Sequence, residues 1–476
     1  MRLIDTAYID GAFVPVTGEE ELQIINPANE RTIGSLRVAS REDARRAIAV
    51  AHRAQEGLAK TAKAERLDML TSLQDAILRR SDDIRDVTIE EYGAPVSRAR
   101  WISRYASDCF GYAAEALRDY DFERRIGDAT VRMEPVGVSA LIAPWNAVSG
   151  TICSKLASAL AGGCATVIKP SELSGLQSQV VAEALHGAGL PAGTFNIVNG
   201  RGKDVGDELS TNPDVARISF TGSTATGKII ARAAAETIKR VGLSLSGKSA
   251  TIIMEDADLA TAVPMALDGG FQNNGQACIA GTRILVPADR LNDVYALVRP
   301  AMARLKVGLP SDPNTAIGPL ASAAQYERIQ RFIARGLEQG AKLLAGGLGK
   351  PYGLDTGFFV KPTVFAEVSN DMDIAREEIF GPVLSIIPFR DEEDAIRIAN
   401  DSAYGLEAYV YSIDPHRARC VADRLHTGSV LINQIAPDLR APFGGVKQSG
   451  IGREFGHFGL EAFLEAKSIA GHYTRV

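Results

Sequence analysis

Short apolar runs of β character alternate with helical stretches along most of this chain, and the runs end in polar loops. That alternation confines the fold to parallel sheets with crossover helices, because parallel strands cannot be joined by tight turns. Residues 136–142, 165–168, 194–198 and 218–220 read as buried strands, with helices such as 176–188 between them. The pattern restarts after Gly247, where 251–254, 283–286 and 382–388 read as strands of a second α/β unit. Ahead of the first strand, residues 41–92 are charged and Ala-rich, with Leu67, Leu70, Leu73, Ile77 and Ile84 at helical spacing. They predict two helices, punctuated by Gly93-Ala94-Pro95 and followed by a third through Leu117. No repeat, low-complexity tract or linker separates the units, so short connections join them or they are interwoven. The last segment, 459–476, reads as a helical turn and a tail whose residues 468–474 can pair as an edge strand with another subunit or fray as a terminus.

Composition excludes several functions. A chain of 476 residues has room for more than one core. A net charge of −6 disfavours a nucleic-acid or anionic-membrane partner. Asp5 and Asp10 stand where a signal peptide needs an apolar stretch, and the longest apolar run, 156–168, is too short for a membrane span. The five cysteines (109, 153, 164, 278 and 420) form no C-x-x-C pair, and the six histidines form no H-x-x-x-H. Neither a disulfide framework nor a metal site is expected, which suits a cytoplasmic protein.

The chemistry concentrates in a few loops. F-Q-N-N-G-Q-A-C-I-A-G, residues 271–281, sets Cys278 between glycines and amides. A catalytic thiol needs a tight backbone, space for a substrate carbon and N–H donors for an oxyanion; in isolation a lone cysteine is more often an inert buried filler. A-P-W-N (143–146) ends the first buried strand, where parallel sheets bind ligands, and Asn146 offers an amide donor. In isolation it is also an ordinary Asx turn. K-P-S-E (169–172) ends the next strand, and its Lys169 and Glu172 can hold ribose hydroxyls or belong to a charged loop. F-T-G-S-T-A-T-G (220–227) opens a helical run and suits a phosphate. G-R-G-K-D-V-G (200–206) approaches a dinucleotide fingerprint with its last glycine one place late. E-E-I-F-G-P (377–382) puts acids before a strand.

Together with G-K-S and P-F-G-G-x-K-x-S-G, these motifs stand in the order found in the aldehyde dehydrogenase superfamily, which the chain resembles over nearly its whole length. The resemblance implies an α/β fold with a Rossmann-like cofactor domain (1–117 and 138–244), a second α/β catalytic domain (245–457) and a small β oligomerisation arm (118–137 and 458–476). It implies NAD(P)-dependent oxidation of an aldehyde to an acid, in a homodimer or homotetramer. Cys278 would be the nucleophile and Asn146 the oxyanion donor, with Lys155 and Glu465 a charged pair behind the site. Lys169, Ser171 and Glu172 would hold the adenosine ribose, and Gly202 and Gly206 would lie near the adenine. Trp145, Gly222, Ser223, Gly227 and Leu245 would border the pyrophosphate, and Glu378 and Phe380 the nicotinamide ribose. Glu172 favours NAD by repelling a 2′-phosphate, while Lys169 leaves NADP possible.

One departure bears on mechanism. The family's L-E-L-G-G-K-S reads L-S-L-S-G-K-S here (243–249), so Ser244 occupies the general-base position and Ser246 replaces a glycine. A serine cannot take a proton near neutral pH. The substitution can be an engineered trap for an intermediate, the proton can go to Lys155 and Glu465, or the thioester can pass to another acceptor such as coenzyme A. A catalytically weak cofactor- or partner-binding protein is the rival of another class. A smaller departure is Val148, where a proline often follows. Ala147, Gly150, Ser154 and Gln272, at positions often bulky in the family, predict a wide, polar substrate tunnel. Arg104, beside Trp101 and Tyr105, can meet an anionic substrate there or remain solvated.

Overall fold

A computed structural model describes residues 2–471; the end of the expected arm, 472–476, lies outside the described residues. Two large sheets dominate. The first runs in the order Gly450–Ile451, Arg240–Ser244, Arg217–Thr221, Ser139–Ile142, Thr166–Lys169, Phe195–Ile197, Thr6–Ile9, Ala12–Pro15. Its five central strands are parallel, and antiparallel strands close both edges. Ser139–Ile142 and Thr166–Lys169 are buried along their length, as strands covered on both faces must be. The apolar run 156–168 resolves into the end of the almost wholly buried helix Val148–Ala161, a turn and the strand Thr166–Lys169.

The second sheet is ordered Lys342–Ala345, Thr363–Ala366, Val383–Phe389, Arg283–Pro287, Ala250–Ile253, Glu407–Tyr411, Ser429–Ile432, and only its first pair is antiparallel. The predicted strands at 251–254, 283–286 and 382–388 fall on this sheet within a residue or two. Each sheet carries its own apolar cores. The division is not clean in sequence, because Gly450–Ile451 returns to pair with Arg240–Ser244 of the first sheet.

Helices follow the predicted spacing with one change. Residues 41–92 form helices Arg41–Ala59, Lys63–Arg79 and Ser81–Val87, the last running into a wide turn, Thr88–Tyr92. Ser40 starts the first: its hydroxyl accepts from the N–H of Glu42 and Asp43, and Asp43 accepts from the Ser40 N–H in return. Helix Val96–Asp119 follows. Five short strands before Arg41 were not evident from periodicity. Three of them, Arg2–Ile4, Thr32–Arg37 and Glu21–Ile25, make a small sheet of their own. A further sheet joins Glu123–Ile126, Ala129–Pro135 and Leu464–Ala470 in antiparallel pairs. The tail thus pairs first within its own chain, and Leu464–Ala470 keeps one edge open among the described residues.

In the first sheet the strand order reverses between Ser139–Ile142 and Arg217–Thr221. Ligands of open parallel sheets bind at such a reversal, beyond the carboxyl ends of the strands. P-W-N and T-G-S follow those two strands. The second sheet meets them with the amino ends of its strands, since Ser246, Cys278 and Phe380 precede Ala250–Ile253, Arg283–Pro287 and Val383–Phe389.

Candidate active site

The loop that carries Cys278 is held by an unusual backbone. Asn273, Asn274 and Gly275 have φ of 55°, 59° and 71° in succession. Asparagine tolerates this region when its side chain is bonded locally. Asn273 Nδ2 donates to the carbonyls of Asn146 (3.0 Å) and Gln276 (3.2 Å). Asn274 Nδ2 donates to Gly93 O (3.2 Å) and Pro319 O (3.1 Å), and its Oδ1 accepts from Gly318 N (2.8 Å). At Gly275 a Cβ would stand 2.3 Å from the Gly381 carbonyl carbon, so only glycine fits. Gln276 is fully buried, donating to Tyr92 Oη (3.2 Å) and accepting from Ala321 N (3.1 Å). Below the loop, a Cβ on Gly247 would stand 2.2 Å from the Cys278 carbonyl oxygen.

This framework presents Cys278 to a cavity of about 1060 Å³. Trp145, Asn146, Gly222, Ser223, Ser244, Leu245, Glu378 and Phe380 all line it with Cys278. Asn146 Nδ2 donates one proton to Gln276 O at 2.8 Å, two residues before the thiol. An amide nitrogen has a second proton to offer. Trp145 meets Phe380 edge-on, ring centroids 5.3 Å apart, and Phe380 holds φ of 62°. Burial, then the charges of Glu378 and Glu407, push the thiol up to about 12. Glu378 is itself raised by burial; its Oε1 accepts from Gly247 N at 3.0 Å.

Ser244 ends the strand Arg240–Ser244 and lines the cavity with no carboxylate in its place. The pairing expected of Lys155 is corrected. Glu465 lies on the strand Leu464–Ala470 and pairs with Arg240. Lys155 is buried and pairs with Glu454, while its Nζ also donates to Ser219 Oγ at 2.8 Å. Burial lowers the Lys155 ammonium against the opposing charge of Glu454. Glu454 lines the cavity and keeps 24 % of its side-chain surface exposed, so a carboxylate reaches the site from this side.

Lys169, Ser171, Glu172, Gly202 and Gly206 lie outside this cavity. Lys169 Nζ donates to Pro170 O (2.9 Å) and Glu172 Oε2 (3.4 Å), and Arg201 stands 3.7 Å from Glu172 Oε1. A Cβ on Gly206 would sit 3.7 Å from the Lys169 stem, so the turn Gly202–Gly206 closes over that lysine. Ser223 caps helix Thr224–Ala235 by accepting from Thr226 N, and Gly227 packs beneath Leu245, whose side chain a Cβ there would strike at 2.6 Å.

On the substrate side Ala147, Ser154 and Gln272 line the cavity. Gly150 does not, because a Cβ there would meet the Tyr105 ring at 2.4 Å. Arg104 lines the cavity with its charge engaged by Asp108 at 3.1 Å. Charged residues that the sequence does not single out include Glu454 and Arg98 in the cavity wall, and Glu407. Burial raises Glu407 to about 8. It begins the strand Glu407–Tyr411, where Tyr409 Oη donates to Ile279 O at 2.9 Å. A buried lysine at 155 signals that an acid must face it, but nothing in the sequence says which.

The aldehyde dehydrogenase family model matches residues 13–469. A 3-succinoylsemialdehyde-pyridine dehydrogenase of a Pseudomonas species is 46% identical over 475 residues, covering 99% of each chain. Aldehyde dehydrogenase C of Pseudomonas syringae, solved as a variant with NAD+ and octanal, superposes with a TM-score of 0.96 at 41% identity, covering 98% of this chain and 96% of that one. An aldehyde dehydrogenase of Mycobacterium tuberculosis, solved with NAD+, has a TM-score of 0.96 at 39% identity and full coverage of both chains. The chain belongs to the aldehyde dehydrogenase family.

A thiol held up at about 12 is almost wholly protonated at neutral pH. Its alkylation by iodoacetamide in the ligand-free protein should rise about tenfold per pH unit from 7 to 9. Cys420 is exposed, so peptide mass spectrometry must separate the two sites. A plateau at Cys278 near pH 8 would contradict the burial assigned to it.

Proposed function

We propose that this chain oxidises an aldehyde to a carboxylic acid with NAD, through a thioester on Cys278. The observation that carries the reading is one cavity in which the thiol, the Asn146 amide and the start of helix Thr224–Ala235 face the same space. The residues fit a dinucleotide. The capped helix start suits phosphate, and Glu378 and Phe380 line the same cavity as Cys278. Lys169 and Glu172 suit the adenosine ribose hydroxyls. Bound there, the dinucleotide supplies the acceptor for the hydride released as the thiohemiacetal becomes a thioester.

The protein's own part is positioning and charge. Cys278, its thiol proton given up to water in the cavity, attacks the carbonyl carbon as the thiolate, and the second Asn146 N–H and the Cys278 N–H hold the oxyanion that forms. Such a donor contributes about 2.7–4 kcal/mol to the transition state. Deacylation needs a water deprotonated at the opposite face. Ser244 cannot take that proton, and Glu454, engaged by Lys155, is left as a poorer acceptor, so deacylation is slow. The first sheet with its helices is assigned as the cofactor domain, the second as the catalytic domain, and the sheet built on Leu464–Ala470 as the arm. Its open edge would join two copies in a homodimer or a dimer of dimers. Among the described residues no helix is long and apolar enough to cross a membrane. The unpaired cysteines support a cytoplasmic location.

Because Ser244 replaces a base, acylation should outrun deacylation. Rapid mixing with aldehyde and NAD should give a burst of NADH near one per site, then a slow phase. Ser244→Glu should raise the slow phase by about 10²-fold and the burst far less. Absence of a burst, or a Ser244→Glu slow phase no faster, would contradict the assignment. Acceleration by coenzyme A alone would favour the acyl-transfer reading instead.

Glu172 sets the cofactor preference by its charge, with Lys169 and Arg201 both turned toward it. Glu172→Gln removes a repulsion of about 1–2 kcal/mol against a 2′-phosphate and releases both cations. The NADP-to-NAD ratio of kcat/KM should rise about tenfold. An unchanged ratio would mean that Glu172 does not face the ribose.

A further inference from the structure

Four arginines line the cavity: Arg98, Arg104, Arg328 and Arg440. Three have oxygen partners. Arg104 donates to Asp108 (3.1 Å), Arg440 to Asp438 (2.7 Å), and Arg328 to the carbonyls of Glu378 (2.6 Å) and Ile379 (3.3 Å). Arg98 has none among the described residues, and its Nε is fully buried without an acceptor. Its guanidinium lies over the Trp101 ring, 4.1 Å from the centroid, and Trp101 in turn stacks on Tyr105 at 4.9 Å.

Three features make this cation costly as it stands. Burial lowers its hold on its proton, and the groups that oppose this are only the phenols of Tyr92 and Tyr105. The Trp101 face offers a cation–π contact and no hydrogen-bond acceptor. Arg98 also occupies the first turn of helix Val96–Asp119, after Pro95, where the helix dipole repels positive charge. A partly buried guanidinium with free donors facing a cavity at the positive end of a helix is compensated by an anion, and a carboxylate matches its fork in two parallel bonds.

We infer that Arg98 binds the far end of the substrate and that this end is a carboxylate, so the preferred substrates are aldehydes carrying a terminal carboxylate. The inference rests on the cavity being an aldehyde site. It moves the anion contact from Arg104, already neutralised by Asp108, to Arg98. Trp101 forms the apolar wall beside it for the carbon chain. The oxidised product would be a dicarboxylate held by the same residue.

The test pairs each carboxy-aldehyde, in a series of graded chain length, with its neutral methyl ester. At the best length the acid should exceed the ester in kcat/KM by at least about tenfold. Arg98→Gln should lower that ratio by about 100-fold, and Arg98→Lys should restore part of it. Both tryptophans of the chain, Trp101 and Trp145, line the cavity, so their fluorescence reports binding without turnover. Titration with the dicarboxylates should saturate in the native protein and weaken about 100-fold in Arg98→Gln, folding being checked by circular dichroism. Esters or neutral aryl keto-aldehydes preferred at every length would overturn the inference, as would an Arg98→Gln variant that weakens acid and ester equally. Saturable dicarboxylate binding without NADH from any aldehyde would keep the anion site and sink the oxidation reading. Loss of both would overturn both.

Discussion

The bond from Asn146 Nδ2 to the Gln276 carbonyl joins the two halves of the molecule at the point where chemistry is assigned. Asn146 belongs to the loop after a strand of the first sheet, and Gln276 to the loop before a strand of the second. Asn273 returns the contact by donating to the Asn146 carbonyl. Two sheets that fold around separate cores are thereby held in a register that sets donor and thiol on one cavity. The left-handed run Asn273-Asn274-Gly275 costs backbone energy, of order 1–3 kcal/mol for each non-glycine residue. It persists because the Nδ2 of each asparagine is bonded and Gly275 lies against Gly381. The strain is placed where a thiol must be aimed.

Charge around that thiol is arranged on the acidic side. Glu378 and Glu407 oppose its ionisation, and burial opposes it more. Both effects favour the thiol over the thiolate in the ligand-free site. Ser244 removes one carboxylate from this surrounding. Glu454 brings a carboxylate to the cavity, paired with the buried Lys155. Tyr409, bonded to both Ile279 and Glu407, ties the loop to the sheet beneath it.

Much of this was legible in the sequence where local rules act. The parallel strands were readable because burial on both faces makes them continuous apolar runs, and the motifs at their ends follow from the ligand geometry of such sheets. The glycines and amides around Cys278 marked a tight loop, but its place in the site came from the order of the surrounding motifs. Contacts between distant segments were not. Lys155 requires a buried acid, but Glu454 and Glu465 both follow at long range, and only folding separates the one beside the lysine from the one on the arm strand. Arg98 and Arg104 lie on one helix with similar flanks, and what distinguishes them is Asp108, one turn from Arg104. The strands before Arg41 are short and only partly apolar, so neither period shows in them.

The central claim is that the acyl group rests on Cys278 and leaves it slowly. Acid quenching after the first turnover, followed by peptide mass spectrometry, tests it directly. The account predicts close to one acyl group per chain on the peptide containing Cys278, and none on those containing Cys109, Cys153, Cys164 or Cys420. NADH formed in steady turnover with Cys278 unmodified throughout, or the acyl group on another residue, would contradict it.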